Sequence, residues 1–376
     1  MGLSDSQKKI ASNIAWALGG KIVNMASALF IGILVARYLG PNNYGIMNYV
    51  ISYVSIFSII ASFGLDDIEI RELSKHNENR NIILGSCFFI RIVFATIAYI
   101  GIIVSLLFYQ TDRLTFSMIL VYGLTLFSGT GNIFRNYFTS IVQNRYIVKS
   151  EIMRTALGGL IKILLLWLKA PLEYFIYSQI LDSIIVGSGY CLSYKSICGT
   201  VKNWSIDKKL ILFIIKESYP LVISGAAVII YQRIDQVMIG NMLNKTEVGY
   251  FATAAKFVDL IVFLPTVLVQ TVTPVLIRTK ENNPEAYEAQ KRRFVSITTW
   301  TAIIMSLTVS QLAYWLIMYT YGKEYAPAIP ILHIMAFKAV GMALSSSGGQ
   351  IIIMEGIQKW VFIGNNLGCF ICILLN

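Results

Sequence analysis

Charge, histidine and cysteine are all scarce in this sequence. Asp, Glu, Lys and Arg make up 14% of its 376 residues, against about 25% in a typical soluble domain. So few ionic side chains cannot clothe a water-facing surface, which argues against an ordinary soluble globule. The two histidines, His76 and His333, stand far apart and build no metal-ligand cluster. Five cysteines (Cys87, Cys191, Cys198, Cys369, Cys372) are too few and too scattered for a disulfide framework. Cys369 and Cys372 have the spacing of a redox or zinc motif, but they lie inside an apolar run. Small residues facing lipid or a neighbouring helix are the simpler reading there. The sequence also has no phosphate-binding glycine loop, nucleophile elbow or paired-acid motif, which leaves little basis for an enzyme.

Apolar residues are abundant instead: 56% of the chain, with a mean hydropathy of +0.65. They gather in runs of about 20 residues, each long enough to cross roughly 30 Å of hydrocarbon. Backbone groups find no water there, so such runs must be helices. The segments fall near 13–37, 45–64, 82–109, 115–140, 152–168 and 172–194, then near 219–242, 249–276, 295–320, 328–353 and 360–376. The expectation is an all-α polytopic membrane protein with eleven spans. The polar start, Met1 to Ser12, is not followed by a small-residue cleavage site. The last run stops at Leu375-Asn376 without a polar cap, so a truncated chain, or one lacking a twelfth span, is expected.

Lys and Arg in the connections test this topology. The N-terminus and every second loop carry nineteen of them, while the opposite loops hold only Arg113, Lys169, Lys245 and Lys323. That alternation predicts a cytoplasmic N-terminus. It also accounts for most of the net charge of +11, which is therefore no nucleic-acid footprint. The outward connections are too short to fold into a catalytic domain.

A repeat is legible in two turns. Leu39-Gly40-Pro41-Asn42-Asn43-Tyr44-Gly45 follows the first span, and Leu243-Asn244-Lys245-Thr246-Glu247-Val248-Gly249 follows the seventh. Leucine and glycine coincide at a shift of 204 residues. Six spans precede the second copy, and the polar stretch Ser193–Glu217 separates the halves. An even number of spans per half predicts two bundles of the same orientation, residues 1–204 and 205–376, around a central cavity.

Apart from Arg154 and Glu173, which lie in the first turn of their segments, eight cations fall within the apolar segments: Lys21, Arg37, Arg91, Arg135, Lys162, Arg233, Lys256 and Lys338. Only three acids do so: Asp182, Asp235 and Asp259. Each charge costs roughly 2.5–3.5 kcal/mol to insert, so each should face a cavity or a partner. Arg37 and Arg135 lie near span ends, where a long stem can snorkel to the headgroups. Arg91, Arg233, Lys338, Lys21, Lys162 and Lys256 are the candidates for a cationic, anion-binding cavity. Asp182, Asp235 and Asp259 are candidates for proton coupling or simple charge pairing. Lys256 and Asp259 stand three apart on one helix face, whereas Arg233 and Asp235 point in different directions. Gln232, Gln236 and Asn241 make the seventh span the most polar, which places the cavity wall there.

Several motifs carry a family resemblance. Ala36-Arg37-Tyr38-Leu39-Gly40-Pro41-Asn42-Asn43-Tyr44-Gly45 resembles the first-hairpin signature of polysaccharide transporters. Phe63-Gly64-Leu65-Asp66 with Arg71-Glu72-Leu73 is similar to their pattern after the second span. Ile234-Asp235-Gln236-Val237-Met238-Ile239-Gly240, with Val248-Gly249-Tyr250 and Ala254-Ala255-Lys256, resembles their seventh–eighth hairpin. The group is the O-antigen and capsule flippases, within the superfamily that includes multidrug extruders. The resemblance implies twelve helices in two six-helix bundles around a cationic cavity, working by alternating access in the bacterial inner membrane. The implied cargo is an undecaprenyl-pyrophosphate-linked oligosaccharide, with membrane lipids, a polysaccharide polymerase and chain-length proteins as further partners. No cofactor is implied, and the coupling ion, H+ or Na+, is not fixed by any motif. The alternatives are a multidrug or small-solute exporter of the same superfamily and a membrane enzyme of polysaccharide assembly.

Overall fold

The computed structural model describes residues 5–108, 112–357 and 359–375, with side chains from residue 19 onward except 21, 22, 224, 281, 361, 362, 369 and 371–376. All regular structure among these residues is helical. The chain divides into two compact units, Met1–Val35 with Val50–Ile234 and Ala36–Tyr49 with Asp235–Asn376. These units cut the chain elsewhere than residue 204: the first hairpin turn belongs with the later helices, and residues 205–234 with the earlier ones. The side chains of Cys369 and Cys372 lie outside the described residues, and Cys87, Cys191 and Cys198 are free thiols.

The first unit holds most of α1 (Asp5–Ser62), then α2 (Leu65–Lys75), α3 (Arg80–Phe108), α4 (Arg113–Gly123), α5 (Thr125–Ser128) and α6 (Asn132–Ser140). It continues through α7 (Asn144–Trp167) and α8 (Leu172–Cys198) into α9 (Lys208–Met242). Left-handed backbone at Phe63 (φ 46°) and Gly64 (φ 60°) ends α1 and starts α2. A side chain at Gly64 would crowd Leu221 Cβ, the Val222 nitrogen and the Ser218 carbonyl at 3.2–3.3 Å, so glycine suits both the turn and the close approach. α2 packs on α6, and α7 on α8. Leu65, Ile68, Leu84, Phe138 and Tyr194 belong to one buried core, while Leu107, Phe108 and Trp167 point outward, 74–83% exposed. An apolar interior with an apolar exterior is what a bundle bathed in lipid requires.

The second unit holds α10 (Lys245–Asn282), α11 (Pro284–Gln311), α12 (Ala313–Thr320), α13 (Ala328–Met335), α14 (Lys338–Met354) and α15 (Lys359–Leu375). It also includes the bend of α1, where Gly40 leaves helical geometry (φ 70°, ψ 169°) ahead of Pro41. The two repeated turns meet inside this unit, and their contacts are reciprocal. A Cβ on Gly45 would overlap the Lys245 carbonyl, and one on Gly249 would overlap the Pro41 carbonyl. Adding 204 to 41 and 45 gives 245 and 249, so the repeat operation exchanges one contact for the other. Thr246 Oγ1 also donates to Asn42 Oδ1 at 3.4 Å, a pair separated by the same 204 residues. The repeat is thus expressed as two glycine-lined turns packed backbone to backbone.

Seven helical segments among the described residues are long and apolar enough to cross a membrane. They number eight if Lys208–Ile223 and Gly225–Met242, bent by 42°, form one broken span. The protein is therefore multi-pass. One of the seven, Val23–Lys75, is 53 residues long, or roughly 80 Å of helix. That leaves room for the two crossings expected on either side of Gly40. α7 falls outside the set, with Lys149, Glu151, Arg154 and Lys162 on it, and so does the 17-residue α15. The structure does not establish the expected count of eleven spans.

Candidate functional site

Arg91 lies deep in α3 with its side chain only 3% exposed. The turn at Phe63-Gly64 aims α2 so that Asp66 and Glu69, one helical turn apart, both face it. Arg91 Nη2 donates to Asp66 Oδ1 at 2.7 Å and to Glu69 Oε2 at 2.6 Å. Asn136 Nδ2, on α6, donates to the same two oxygens at 2.8 and 3.0 Å. Four polar groups from three helices are thereby locked together. Glu69 Oε1, Arg91 Nε and Asn136 Oδ1 are left buried without partners.

The sequence-based charge count needs correcting here. Asp66 and Glu69 follow the end of an apolar run and count by hydropathy as part of a connection, which makes Arg91 a surplus cation. With two carboxylates against one guanidinium, the cluster's formal charge is −1, not +1. The signal available in sequence is the i, i+3 spacing of Asp66 and Glu69, directly after a Phe-Gly break.

Lys162 and Asp182 form an ion pair between α7 and α8. Gly158, one turn before Lys162, has no Cβ to meet the Asp182 carboxylate that lies against it. Nearby, Glu151 accepts from Asn24 at 3.2 Å and from Tyr190 at 3.3 Å, a polar group that the pattern of apolar runs does not single out. In the second unit, Lys338 at the start of α14 donates to Asp235 at 3.2 Å, with the lysine side chain 38% exposed. Tyr49 donates to Asn241 at 2.6 Å, and Lys245 sits 3.1 Å above the Tyr49 ring while donating to the Gly240 carbonyl.

The remaining candidates are more open. Lys256 and Asp259 are both exposed on α10, and Arg37 and Arg135 are exposed as well. The side chain of Lys21 lies outside the described residues. Arg233 is half-buried on α9 and makes no hydrogen bond or ion pair among the described residues.

Tyr122 lines a cavity of about 410 Å3 within the first unit. The C-terminal half of α1 supplies Ser55, Ser58 and Ser62, and α5 with the turn after it supplies Thr125 and Thr130. Asp66 and Arg91 form part of the wall, joined by Asn132 and Ser183. The cavity is thus bounded by a charge cluster and lined largely by hydroxyls. None of the described residues forms a group that could hold a metal ion.

A family model described as "Polysaccharide biosynthesis protein" matches residues 10–280. None of the curated proteins matches the chain. Among solved structures, an inward-facing multidrug resistance MATE family transporter of the MOP superfamily superposes with a TM-score of 0.65 at 13% identity, covering 94% of this chain and 93% of that one. An outward-facing MATE family transporter of that superfamily gives 0.63 at 15% identity, covering 96% and 86%. The MATE multidrug transporter DinF-BH gives 0.63 at 14% identity, covering 95% and 85%. At these identities the likeness establishes the fold.

Proposed function

The chain belongs to the polysaccharide biosynthesis protein family, and from that membership we propose that it is a flippase for a lipid-linked oligosaccharide. The family and the fold are those of transporters, not of enzymes, and the working cycle is alternating access. The cargo is a polyprenyl-pyrophosphate-linked repeat unit moved from the inner to the outer leaflet of a bacterial inner membrane. The functional halves are two helical bundles, residues 1–204 with six spans and 205–376 with five, with the N-terminus cytoplasmic.

One observation carries the cargo assignment. Arg91, Lys162 and Lys338 are neutralised by acids, whereas Arg233 has no ionic partner among the described residues and stands one helical turn after Ile229, a residue of the cavity wall. A half-buried guanidinium without a carboxylate is costly in a membrane unless an anion visits it, and its planar fork suits a phosphate. Arg233 is therefore assigned to the pyrophosphate. Asp182 and Asp235 act as charge partners, Asp259 and Lys256 stand at the exposed face of α10, and Lys21 remains a candidate for the same anion.

Reconstituted vesicles loaded with a polyprenyl-pyrophosphoryl oligosaccharide test this directly. Wild type should expose the lipid to an external glycosidase, and Arg233→Ala should abolish that exposure while inserting normally. Full activity in Arg233→Ala rejects the phosphate assignment.

A second reading, export of a small organic cation, is favoured by the MATE fold and by the formal negative charge of the Asp66–Glu69–Arg91 cluster beside the cavity. Accumulation of a fluorescent cationic dye in a sensitised strain separates the two. Efflux that depends on Asp66, without lipid translocation, selects the exporter.

A further inference from the structure

The cavity wall of the first unit has a hydrogen-bonding polarity set by its own helices. All six of its serine and threonine hydroxyls already donate to a carbonyl of their own segment. On α1, Ser55 donates to Ile51 at 2.7 Å, Ser58 to Ser55 at 2.6 Å and Ser62 to Ile59 at 3.2 Å. Thr125 donates to Tyr122 and Thr130 to Phe127, each at 2.7 Å, and Ser183 donates to Gln179 at 3.2 Å. A hydroxyl has one proton and two lone pairs. With the protons committed to the helices, these groups present lone pairs to the cavity.

The charged part of the wall has the same bias. Asp66 is 47% exposed and accepts only. Arg91 Nη2, the nearest cationic donor, is already held by Asp66 and Glu69. Among the described residues of the wall, donors without a partner come down to Asn132, the Tyr122 hydroxyl and the rest of the Arg91 guanidinium, whose Nε is buried. The surface is acceptor-rich and negatively biased, and its volume lies within the range of about 300–1,000 Å3 common for small-molecule sites.

A matching ligand must therefore bring many O–H donors and no negative charge. A sugar ring does this: each hydroxyl can donate to the wall. A carboxylate or phosphate would set acceptors against acceptors and lose its own hydration without replacement. We infer that this cavity is the subsite for a neutral, hydroxyl-rich saccharide portion of the cargo, and that it discriminates against a carboxylated sugar. This rests on the flippase reading and divides the labour within it, since the anion is assigned to Arg233 and the sugar to the acceptor wall.

The test uses the full chain in lipid nanodiscs and three probes: a bare polyprenyl pyrophosphate, the same lipid bearing a neutral hexose, and the same lipid bearing a hexuronic acid. Dissociation constants are read by native mass spectrometry. The hexose lipid should bind at least about tenfold more tightly than the bare lipid, consistent with two or more added hydrogen bonds. The hexuronate should gain nothing over the bare lipid. Thr130→Val, which keeps side-chain shape, and Ser58→Ala should each weaken the hexose lipid by about three- to tenfold. Neither should change binding of the bare lipid, and each is checked for an unaltered melting temperature. Equal affinity for hexose and hexuronate, or a hexose gain that survives both substitutions, overturns the subsite and leaves the flippase reading standing. Failure of wild type to bind any of the three lipids overturns both.

Discussion

Removing the Arg91 guanidinium should destabilise the protein severely, for a reason separate from cargo. In Arg91→Met the side-chain volume is largely kept, but Asp66 and Glu69 lose the donor that holds them at 2.7 and 2.6 Å. Glu69 is fully buried, so water cannot replace that donor, and Asn136 is the partner left to the two carboxylates among the described residues. Removing one side of a buried ion pair costs about 3–5 kcal/mol, because the remaining charge is uncompensated. Arg91→Met should therefore melt several degrees below wild type in detergent, followed by fluorescence-detected size exclusion after heating. Glu69→Gln in the same background removes the stranded charge and keeps the shape, so the double variant should recover much of the loss. The coupling between the two sites should exceed about 1 kcal/mol in a double-mutant cycle. Arg91→Met melting with wild type, or a double variant no better than the single one, would refute the claim that the cluster holds α2, α3 and α6 together. Loss of transport in an Arg91 variant alone is thus no evidence of cargo contact.

Arg233→Ala breaks no internal ion pair among the described residues, so its melting temperature should match wild type while lipid translocation disappears; a parallel loss of stability would point to an unseen structural partner. Gly45→Ala and Gly249→Ala each place a methyl group inside an opposing backbone carbonyl, so both should lower the melting temperature and the yield of folded protein. Gly225→Ala, with open space at its Cβ, should be tolerated, and equal behaviour of all three would dismiss the packed-turn account. Lys162→Met strands Asp182, whose side chain is 12% exposed, and should cost about 3–5 kcal/mol. Lys338→Met disturbs a pair whose lysine is 38% exposed and should cost about 1 kcal/mol or less. Thermal melts of the two variants side by side check that ranking.

Much of the architecture was legible without coordinates. Apolar runs must become helices wherever water is excluded, so the membrane class and the approximate place of most crossings follow from composition and length. The paired glycine turns were readable too, because a shift of 204 residues aligns Gly45 with Gly249, and only glycine permits the backbone approach found there. Lys162 and Asp182 were also visible as charges out of place, and they found one another across adjacent helices.

Tertiary structure decided which charge faces which. Hydropathy is a local quantity, so the end of an apolar run at Gly64 made Asp66 and Glu69 look like loop residues. Their meeting with Arg91 depends on a left-handed turn at Phe63-Gly64 and on α2 packing against α6, neither of which leaves a periodic trace. The direction of the cavity's hydroxyls is likewise a matter of rotamers within helices. Composition set the solvent this chain folds in; pairing across tens of residues, at the cost of burying each charge, set which side chains are free to meet a ligand.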